Sequence, residues 1–309
     1  MRVIITGGTG LIGRALVGEL IDHGHEPVVL SRNPAKTREI PGEVDLVEWD
    51  ARSVNGWVEE VNRSEAIVNL AGENIAGAGF LPERWTEDKK SRILNSRLRV
   101  GRAVNKAVAE AEDRPSVVVQ SSAVGYYGTD EEKEFTESSP PGVGWLAEVA
   151  KQWEKVTEPV EELGIRRVVI RTGIVLSGAG GVLPRLLLPY QLFLGGPIGN
   201  GGQWYSWIHI RDEVRAIRFL LENEAARGPF NLTAPNPSRN REFGDRLGRV
   251  LGRPSALRVP GLLVRLALGE ASSMVLEGQK VLPVGLEDLG FEYSFPALPG
   301  ALEDLVAGS

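Results

Sequence analysis

The sequence predicts an α/β fold in which a doubly wound parallel sheet carries a smaller, mostly helical C-terminal lobe. Short β-branched runs alternate with amphipathic stretches along the first half of the chain, which is the order of elements in such a sheet. Residues 117–119 are all valine, without the polar alternation of a half-exposed strand, so helices are expected to cover both faces. After Thr172 the chain becomes rich in Gly and Pro and then mostly helical, which indicates a second lobe.

Each predicted element follows from this alternation. In the first half, strands are expected at 2–6, 27–31, 44–49, 66–70, 117–121 and 167–172, with helices ending near His23 and at 54–62, 83–111 and 145–163. Later in the chain we expect strands at 204–210 and 230–232, and a helix at 213–222 that Asp212 would N-cap. The nucleotide-binding domain is predicted to comprise residues 1–175 and 205–235, interleaved with a substrate lobe of residues 176–204 and 236–303.

Composition narrows the class of protein. A chain of 309 residues can bury a large core, and 42% hydrophobic with 25% charged residues is ordinary for a globular protein. A net charge of −6 argues against a nucleic-acid surface, and the absence of cysteine excludes disulfides and thiolate metal sites. A strand starting at residue 2 leaves no room for a targeting segment, and charged residues and Pro260 interrupt the longest apolar stretch, 257–268. We therefore expect a cytoplasmic monomer or homodimer that has no metal site and does not act on membranes or nucleic acids.

A glycine-rich turn directly follows the first predicted strand. Gly7 permits the unusual dihedral angles of the turn, Gly10 lets the backbone approach a diphosphate, and Gly13 lets the helix pack closely on the strand. N–H groups at the start of the helix would then face the anion. Although glycines can form a purely structural turn, the strand–turn–helix context favours a bound dinucleotide. Its expected contacts are Gly7, Thr9, Gly10, Leu11, Ile12 and Gly13.

The end of the second predicted strand indicates which dinucleotide is bound. NAD sites usually carry an acid there to accept from the ribose 2′-OH, but this chain has Ser31 and Arg32. Ser31 can donate to a 2′-phosphate and Arg32 can pair with it, so we predict NADP (NADPH), although an arginine after a strand can also be a plain surface residue. Asp50 either meets the adenine amino group or caps a turn. Leu70 is followed by two small residues, Ala71 and Gly72, which allow the cofactor to approach the backbone.

Several short motifs are spread along the chain. They are the glycine run, Asn69-Leu70-Ala71-Gly72, Gly72-Glu73-Asn74-Ile75, Arg84-Trp85, Asn95-Ser96-Arg97, 121–128, Leu194-Gly195-Gly196-Pro197, Ser206-Trp207-Ile208-His209-Ile210 and 278–283. Together they resemble the extended short-chain dehydrogenase/reductases, and in particular their atypical, sugar-nucleotide-epimerase-like branch in the NAD-dependent epimerase/dehydratase superfamily. The resemblance covers essentially the whole chain. It implies a Rossmann-type core that binds NADP, with cofactor contacts from Arg97, Ser121, Val175 and the backbone around Leu70 and Ala71.

The catalytic dyad of that superfamily is missing. Its enzymes use a Tyr-x-x-x-Lys pair on one helix, where the lysine lowers the pKa of the tyrosine that moves the proton. Here those positions hold Leu146 and Ala150, or Ala147 and Lys151 if the alignment shifts by one residue. Candidates for a replacement are Ser122, Tyr126, Tyr127 and Lys151. The alternative for Ser122 is a hydrogen bond to the backbone at the strand end, and the alternative for the two tyrosines is packing in the loop.

A substrate pocket is expected between the lobes. The glycine-rich loop 195–203, whose N–H groups could bind anions, precedes Trp204, Trp207 and His209, the expected substrate contacts. Arg239 and Arg241 either add positive charge to the pocket or cap a helix, and a structural role competes with a general-base role for His209. Two functions remain open: an NADP-dependent oxidoreductase or epimerase acting on a small polar or nucleotide-linked substrate, and a non-catalytic NADP(H)-binding regulatory or scaffold protein.

Overall fold

The computed structural model describes residues 1–36, 40–42, 44–77, 79 and 81–307. A seven-stranded parallel sheet forms its centre, with the strand order β12-β7-β5-β4-β1-β2-β3. The chain crosses from β1 towards β3 on one side and from β4 towards β12 on the other, which is the doubly wound, Rossmann-type arrangement. The predicted fold class is therefore confirmed. The strands of this sheet are β1 (Arg2–Thr6), β2 (Glu26–Ser31), β3 (Asp45–Glu48), β4 (Ala66–Asn69), β5 (Val117–Ala123), β7 (Arg166–Thr172) and β12 (Gly228–Leu232).

Short strands build the remaining sheets beside this one. The predicted strand 204–210 is divided at Ser206, whose hydroxyl donates to the Gln279 carbonyl (2.7 Å) and accepts from the Val281 N–H (2.9 Å). The short strands are β6 (Asp130–Phe135), β8 (Ile174–Ser177), β9 (Gly180–Gly181), β10 (Trp204–Tyr205), β11 (Trp207–His209), β13 (Ser238–Arg239) and β14 (Gln279–Val281).

Twelve α-helices lie in the described residues: α1 (Leu11–Asp22), α2 (Val58–Val61), α3 (Glu87–Glu110), α4 (Trp145–Lys155), α5 (Pro159–Glu162), α6 (Leu183–Gln191), α7 (Ile210–Glu222), α8 (Asn240–Leu251), α9 (Gly261–Leu268), α10 (Ser273–Leu276), α11 (Val284–Asp288) and α12 (Leu298–Ala307). The predicted helix 145–163 is interrupted before Pro159. The predicted N-cap of α7 is wrong, because the helix starts earlier and His209 Nδ1 accepts from the Arg211 N–H at 3.0 Å. Asp212 instead accepts from the N–H groups of Ser294 and Phe295, both at 2.8 Å.

Apolar side chains cover both faces of the central sheet. Alternate residues of β1 point to opposite sides, so Val3 and Ile5 pack with α1 and α7 while Ile4 packs with α2 and α3. A third apolar cluster holds α6, α8 and α12 around Trp207. Leu286, from a segment assigned to the lobe, packs in the sheet core, so the two predicted domains share their cores and their boundaries stay a prediction.

Candidate functional site

A cleft at the carboxyl ends of β1, β4 and β5 has the shape that a dinucleotide diphosphate needs. Gly7 has a φ of +74°, and a β-carbon there would lie 2.9 Å from the Ala71 nitrogen. A β-carbon on Gly13 would lie 2.4 Å from the Gly7 carbonyl oxygen, so both positions require glycine. Gly10 caps α1 without a side-chain hydrogen bond, which leaves the first N–H groups of the helix for an anion. The cleft brings together Gly7, Gly10, Leu11, Ile12, Gly13, Leu70, Ser121 and Val175.

The residues predicted to select the 2′-phosphate stand beside this cleft. Thr6 pairs with Leu30 across β1 and β2, so Ser31 and Arg32 lie next to the glycine turn. Ser31 is buried and accepts from the Asn33 N–H at 3.2 Å, whereas Arg32 is exposed. Asp50 is also exposed, and its carboxylate accepts from the N–H groups of Arg52 and Ser53, which lowers its pKa. Its visible role is thus to cap a turn.

A second cavity, of about 440 Å³, adjoins the cleft at Ile174, which lines both. It lies at the carboxyl ends of β5 and β7, under α4 on one side and α10 and β14 on the other. Such a volume accommodates a small-molecule ligand. Four tryptophans form much of its wall: Trp85, Trp145, Trp153 and Trp204.

Two of the three predicted substrate contacts lie elsewhere. Trp207 is fully buried and donates from Nε1 to the Asn236 carbonyl at 3.1 Å. His209 is buried as well: it caps α7, stacks on Phe295 with 3.9 Å between ring centroids, and points Nε2 at Asp304 at 3.2 Å. Burial lowers the pKa of His209. Both side chains hold the lobe together, and only Trp204 of the three lines the cavity.

The helix that would carry the catalytic dyad presents an apolar face. Leu146, Ala147 and Ala150 line the cavity, so under either alignment no tyrosine stands there. Lys151 is exposed and pairs with Glu148 at 2.8 Å on the outer side of α4. The lysine therefore points away from the cavity.

The other predicted catalytic residues belong to a network behind that helix. Arg171 donates to both oxygens of Glu154 (2.9 Å each) and to the Tyr127 hydroxyl (2.9 Å), which in turn donates to Asn231. Ser122 donates to the same Glu154 carboxylate at 2.6 Å.

In that network the two tyrosines serve as packing and hydrogen-bonding groups. The Arg171 guanidinium lies 3.6 Å from the centre of the Tyr126 ring. Burial raises the pKa of Tyr127 to about 12, which makes its phenol a poor proton donor near neutral pH. Ser122, Tyr126 and Tyr127 are not part of the cavity wall, so the structure does not bring the predicted catalytic set together.

Sequence reasoning missed one pair of residues at the cavity. Thr172 lines it, and its hydroxyl donates to Glu213 Oε1 at 2.8 Å. Glu213 is fully buried, its Oε2 has no hydrogen-bond partner among the described residues, and burial raises its pKa to about 8. Burial raises the pKa of the nearby Tyr293, and the carboxyls of Glu287, Asp212, Glu137 and Glu213 raise it further. In the sequence, Glu213 was predicted only as the first residue of the helix 213–222, and no pattern singled it out.

Arg97 is a buried cation between the cofactor cleft and the cavity. Its Nη1 donates to the carbonyls of Glu73 (3.1 Å) and Ile93 (2.9 Å), and its guanidinium lies 4.5 Å from the centre of the Trp153 ring. A β-carbon on Gly72 would lie 3.1 Å from Arg97 Cζ, so the side chain reaches the end of β4. Burial lowers its pKa to about 10, and its Nε lacks a partner among the residues the structure describes. The position suits the predicted contact with the cofactor.

The described residues contain no group of three His, Asp or Glu side chains that could hold a metal ion. They also contain no helix that combines the length and the apolar character needed to cross a bilayer.

A parallel sheet with a glycine-built cleft at its carboxyl edge and a ligand-sized cavity beside it defines a dinucleotide-binding protein of the short-chain dehydrogenase type. The chain belongs to the NAD dependent epimerase/dehydratase family, whose model matches residues 3–233. Residues 259–305 match a second model, described as a domain of unknown function (DUF1731). The predicted resemblance to atypical, epimerase-like members is confirmed.

Relatives match along the whole chain. It is 39% identical over 308 residues to the epimerase family protein YfhF of Bacillus subtilis, covering 99% of this chain and 98% of that protein. It is 42% identical to the chloroplastic SDR39U1 homolog of Arabidopsis thaliana, covering 99% and 87%. The human epimerase family protein SDR39U1 (isoform 2), crystallised with NADPH, has a TM-score of 0.88, 34% identity and full coverage of both chains. A Thermus thermophilus UDP-glucose 4-epimerase in complex with NAD has a TM-score of 0.78 at 18% identity, covering 99% and 98%, and shows the fold alone.

Proposed function

We propose that the protein is an NADP(H)-dependent oxidoreductase of the epimerase-like short-chain dehydrogenase type, working without a Tyr-x-x-x-Lys pair. The observation that carries this is the junction at Ile174, where a cleft shaped for a dinucleotide adjoins a ligand-sized cavity. NADPH in the human relative, at 34% identity over the whole chain, supports the cofactor. Ser31 and Arg32 support the same cofactor, because they replace the acid that an NAD site would use.

When bound, NADP(H) gives a hydride to a carbonyl carbon or takes one from an alcohol carbon, and the chain must move the matching proton. Thr172 has a hydroxyl at the cavity that is hydrogen-bonded to a buried carboxyl, that of Glu213. In reduction, Thr172 Oγ1 gives its proton to the substrate oxygen and regains one from Glu213; oxidation runs the same transfers in reverse. Because burial brings the pKa of Glu213 to about 8, the carboxyl can hold or release a proton near neutral pH.

Two measurements test this proposal. Calorimetric titration should give tighter binding of NADPH than of NADH, and absorbance at 340 nm should fall when NADPH meets a carbonyl that the cavity accepts. Thr172→Val should lower kcat about a hundredfold with cofactor affinity unchanged, whereas Thr172→Ser, which keeps the hydroxyl, should retain most activity. Equal activity of the valine and serine variants would rule out the proton path.

The alternative is a regulatory or scaffold protein that binds NADP(H) without chemistry. The observation in its favour is the apolar face of α4, but a scaffold does not need a ligand-sized cavity next to the cofactor cleft. The cavity therefore favours the enzyme. The regulatory or scaffold function replaces the proposed enzyme if NADPH binds, no carbonyl compound in a broad panel is reduced, and the capture of a partner protein depends on NADPH.

We further propose a cytoplasmic protein, monomeric or homodimeric, that does not bind nucleic acids. The net charge of −6 supports the last point, because a nucleic-acid surface needs a basic stripe. Analytical ultracentrifugation distinguishes the two assembly states, and a fluorescent fusion reports the compartment.

A further inference from the structure

We infer that the cavity takes a compact, neutral, largely apolar ring compound with one carbonyl or hydroxyl oxygen, and that the side-chain amide of Gln279 orients that oxygen. The inference rests on the proposed function, since the oxygen-bearing carbon would be the one that exchanges hydride. It departs from the nucleotide-linked substrate that the sequence suggested.

The walls of the cavity are built for a ring. Four of the seven tryptophans in the chain line it. Trp85 and Trp145 form a tilted pair with 4.6 Å between ring centroids, and Trp153 lies beneath them next to Arg97. Leu146 and Met274 add apolar surface on opposite sides. Aromatic walls favour a ligand that offers flat or apolar faces, because each contact removes apolar area from water.

The charges around the cavity are wrong for a diphosphate. Arg97 is the one cation in the described wall, and Glu270 and Glu277 are two carboxylates in the same wall. Glu270 is paired with Lys90, so the charges of this wall nearly cancel, and a doubly charged anion would find one cation in the described wall, Arg97, for only one of its two charges. The other charge would be costly to remove from water. A neutral ligand avoids that cost.

The glycine-rich loop 195–203 does not supply the missing anion site. Residues 195–203 do not line the cavity, and four of their N–H groups are engaged. The N–H of Ile198 donates to Asn240 Oδ1 (2.9 Å), that of Gly199 to the Val259 carbonyl (2.9 Å), that of Gly201 to the Ile198 carbonyl (3.1 Å) and that of Gly202 to Asn200 Oδ1 (2.8 Å).

The two arginines that we considered for the pocket are engaged as well. Arg239 donates to the carbonyls of Gly202 and Glu131 and stacks on Trp204, with 4.4 Å from its guanidinium to the ring centre. Arg241 donates to the Asn200 carbonyl at 3.1 Å. They tie the loop to the lobe and leave no cradle for phosphates.

Gln279 is a neutral polar group in the described wall that can both donate to and accept from a ligand. It lies in the cavity wall at the start of β14, and its backbone carbonyl is taken by Ser206. Its side-chain amide makes no hydrogen bond to a residue that the structure describes, whereas the hydroxyls of Thr129, Ser206 and Ser273 in the same wall each have a protein partner. An amide both donates and accepts, so it can bind a carbonyl or a hydroxyl oxygen.

The test compares two ligands on the full-length protein saturated with NADP⁺. Saturation-transfer NMR and calorimetry are run with 4-phenyl-2-butanone, a neutral aromatic ketone, and with UDP-glucose. We expect saturable binding of the ketone and none of UDP-glucose. Gln279→Leu should weaken ketone binding about tenfold with NADPH affinity unchanged, the loss expected for one hydrogen bond. Gln191→Leu, at an exposed position on α6, is the matched control and should bind as the wild type does.

Each outcome has one meaning. Saturable binding of UDP-glucose, or NADPH binding with no affinity for the ketone, overturns the ligand class but leaves the proposed function standing. Equal ketone affinity of Gln279→Leu and Gln191→Leu overturns the role of the amide. Failure to bind NADPH overturns the proposed function itself, and this inference with it.

Discussion

Replacing Glu213 by glutamine should remove most of a pH dependence of stability that this one carboxyl creates. Glu213 is fully buried, its carboxyl accepts a single hydrogen bond within the described residues, from Thr172, and burial raises its pKa from 4.5 to about 8. Between these values the folded protein keeps a proton that the unfolded chain releases. The free energy of unfolding is therefore highest below pH 4.5, falls as the pH rises, and levels off above pH 8.

The size of the fall follows from the same two pKa values. Each pH unit in this interval costs about 1.4 kcal/mol, so the wild type should lose up to about 5 kcal/mol between pH 4.5 and pH 8. Glutamine cannot titrate, yet it keeps an oxygen to accept from Thr172. Glu213→Gln should accordingly show a flatter profile and exceed the wild type in stability at pH 8.

Urea unfolding followed by tryptophan fluorescence at half-unit steps from pH 5 to pH 9 measures the profile. Glu224→Gln, an exposed position just after the same helix, is the matched control and should reproduce the wild-type slope. If the free energy of unfolding of Glu213→Gln and of the wild type changed with pH in the same way, Glu213 would not hold a proton near neutral pH. It could then not supply the proton that Thr172 is proposed to pass on. In turnover assays the glutamine variant should also lose activity without losing NADPH affinity.

Three further substitutions probe the cleft and the network behind α4. Gly13→Ala should abolish NADPH binding or folding because its β-carbon would overlap the glycine turn. Gly18→Ala, in the same helix, is the control: its β-carbon would lie 3.7 Å from Pro41, so this variant should bind NADPH normally and unfold at a higher urea concentration. Arg32→Ala should weaken NADPH about tenfold to a hundredfold in calorimetry and leave NADH affinity unchanged; a parallel loss for both would exclude a 2′-phosphate contact. Glu154→Gln should destabilise the fold by about 3 kcal/mol in urea because it leaves Arg171 buried without its carboxylate, and a wild-type midpoint would show that the pair contributes little.

The cofactor cleft could be predicted from the sequence because its determinants are local. Gly7 and Gly10 lie in one turn and Gly13 in the first turn of the helix that follows, and a β-carbon at each would press on the backbone of that turn or of the adjacent strand end. Ser31 follows from the same logic, since it lies at the end of the neighbouring parallel strand. Spacing along the chain is therefore enough to place these groups together.

The cavity could not be predicted in the same way because its groups meet through long-range packing. Thr172 and Glu213 come from a strand and a helix 41 positions apart, and Gln279 is brought to Ser206 from 73 positions away. Nothing in a helix start reveals that one carboxyl will be fully buried. The tyrosines after β5 were predicted as catalytic candidates for the same reason. Tyr127 is held by Arg171, which lies on another strand, and the sequence does not reveal this contact.

The apolar face of α4 explains why the proton should come from β7. Successive side chains of a strand point to opposite faces, so Arg171 and Thr172 diverge at its end. Arg171 turns to Glu154 and fixes α4, whereas Thr172 turns to Glu213 and reaches the cavity. With Leu146 and Ala150 on the helix, no acid can approach from that side. A hydroxyl next to Ile174, where cleft and cavity join, stands where hydride and proton must both reach the substrate.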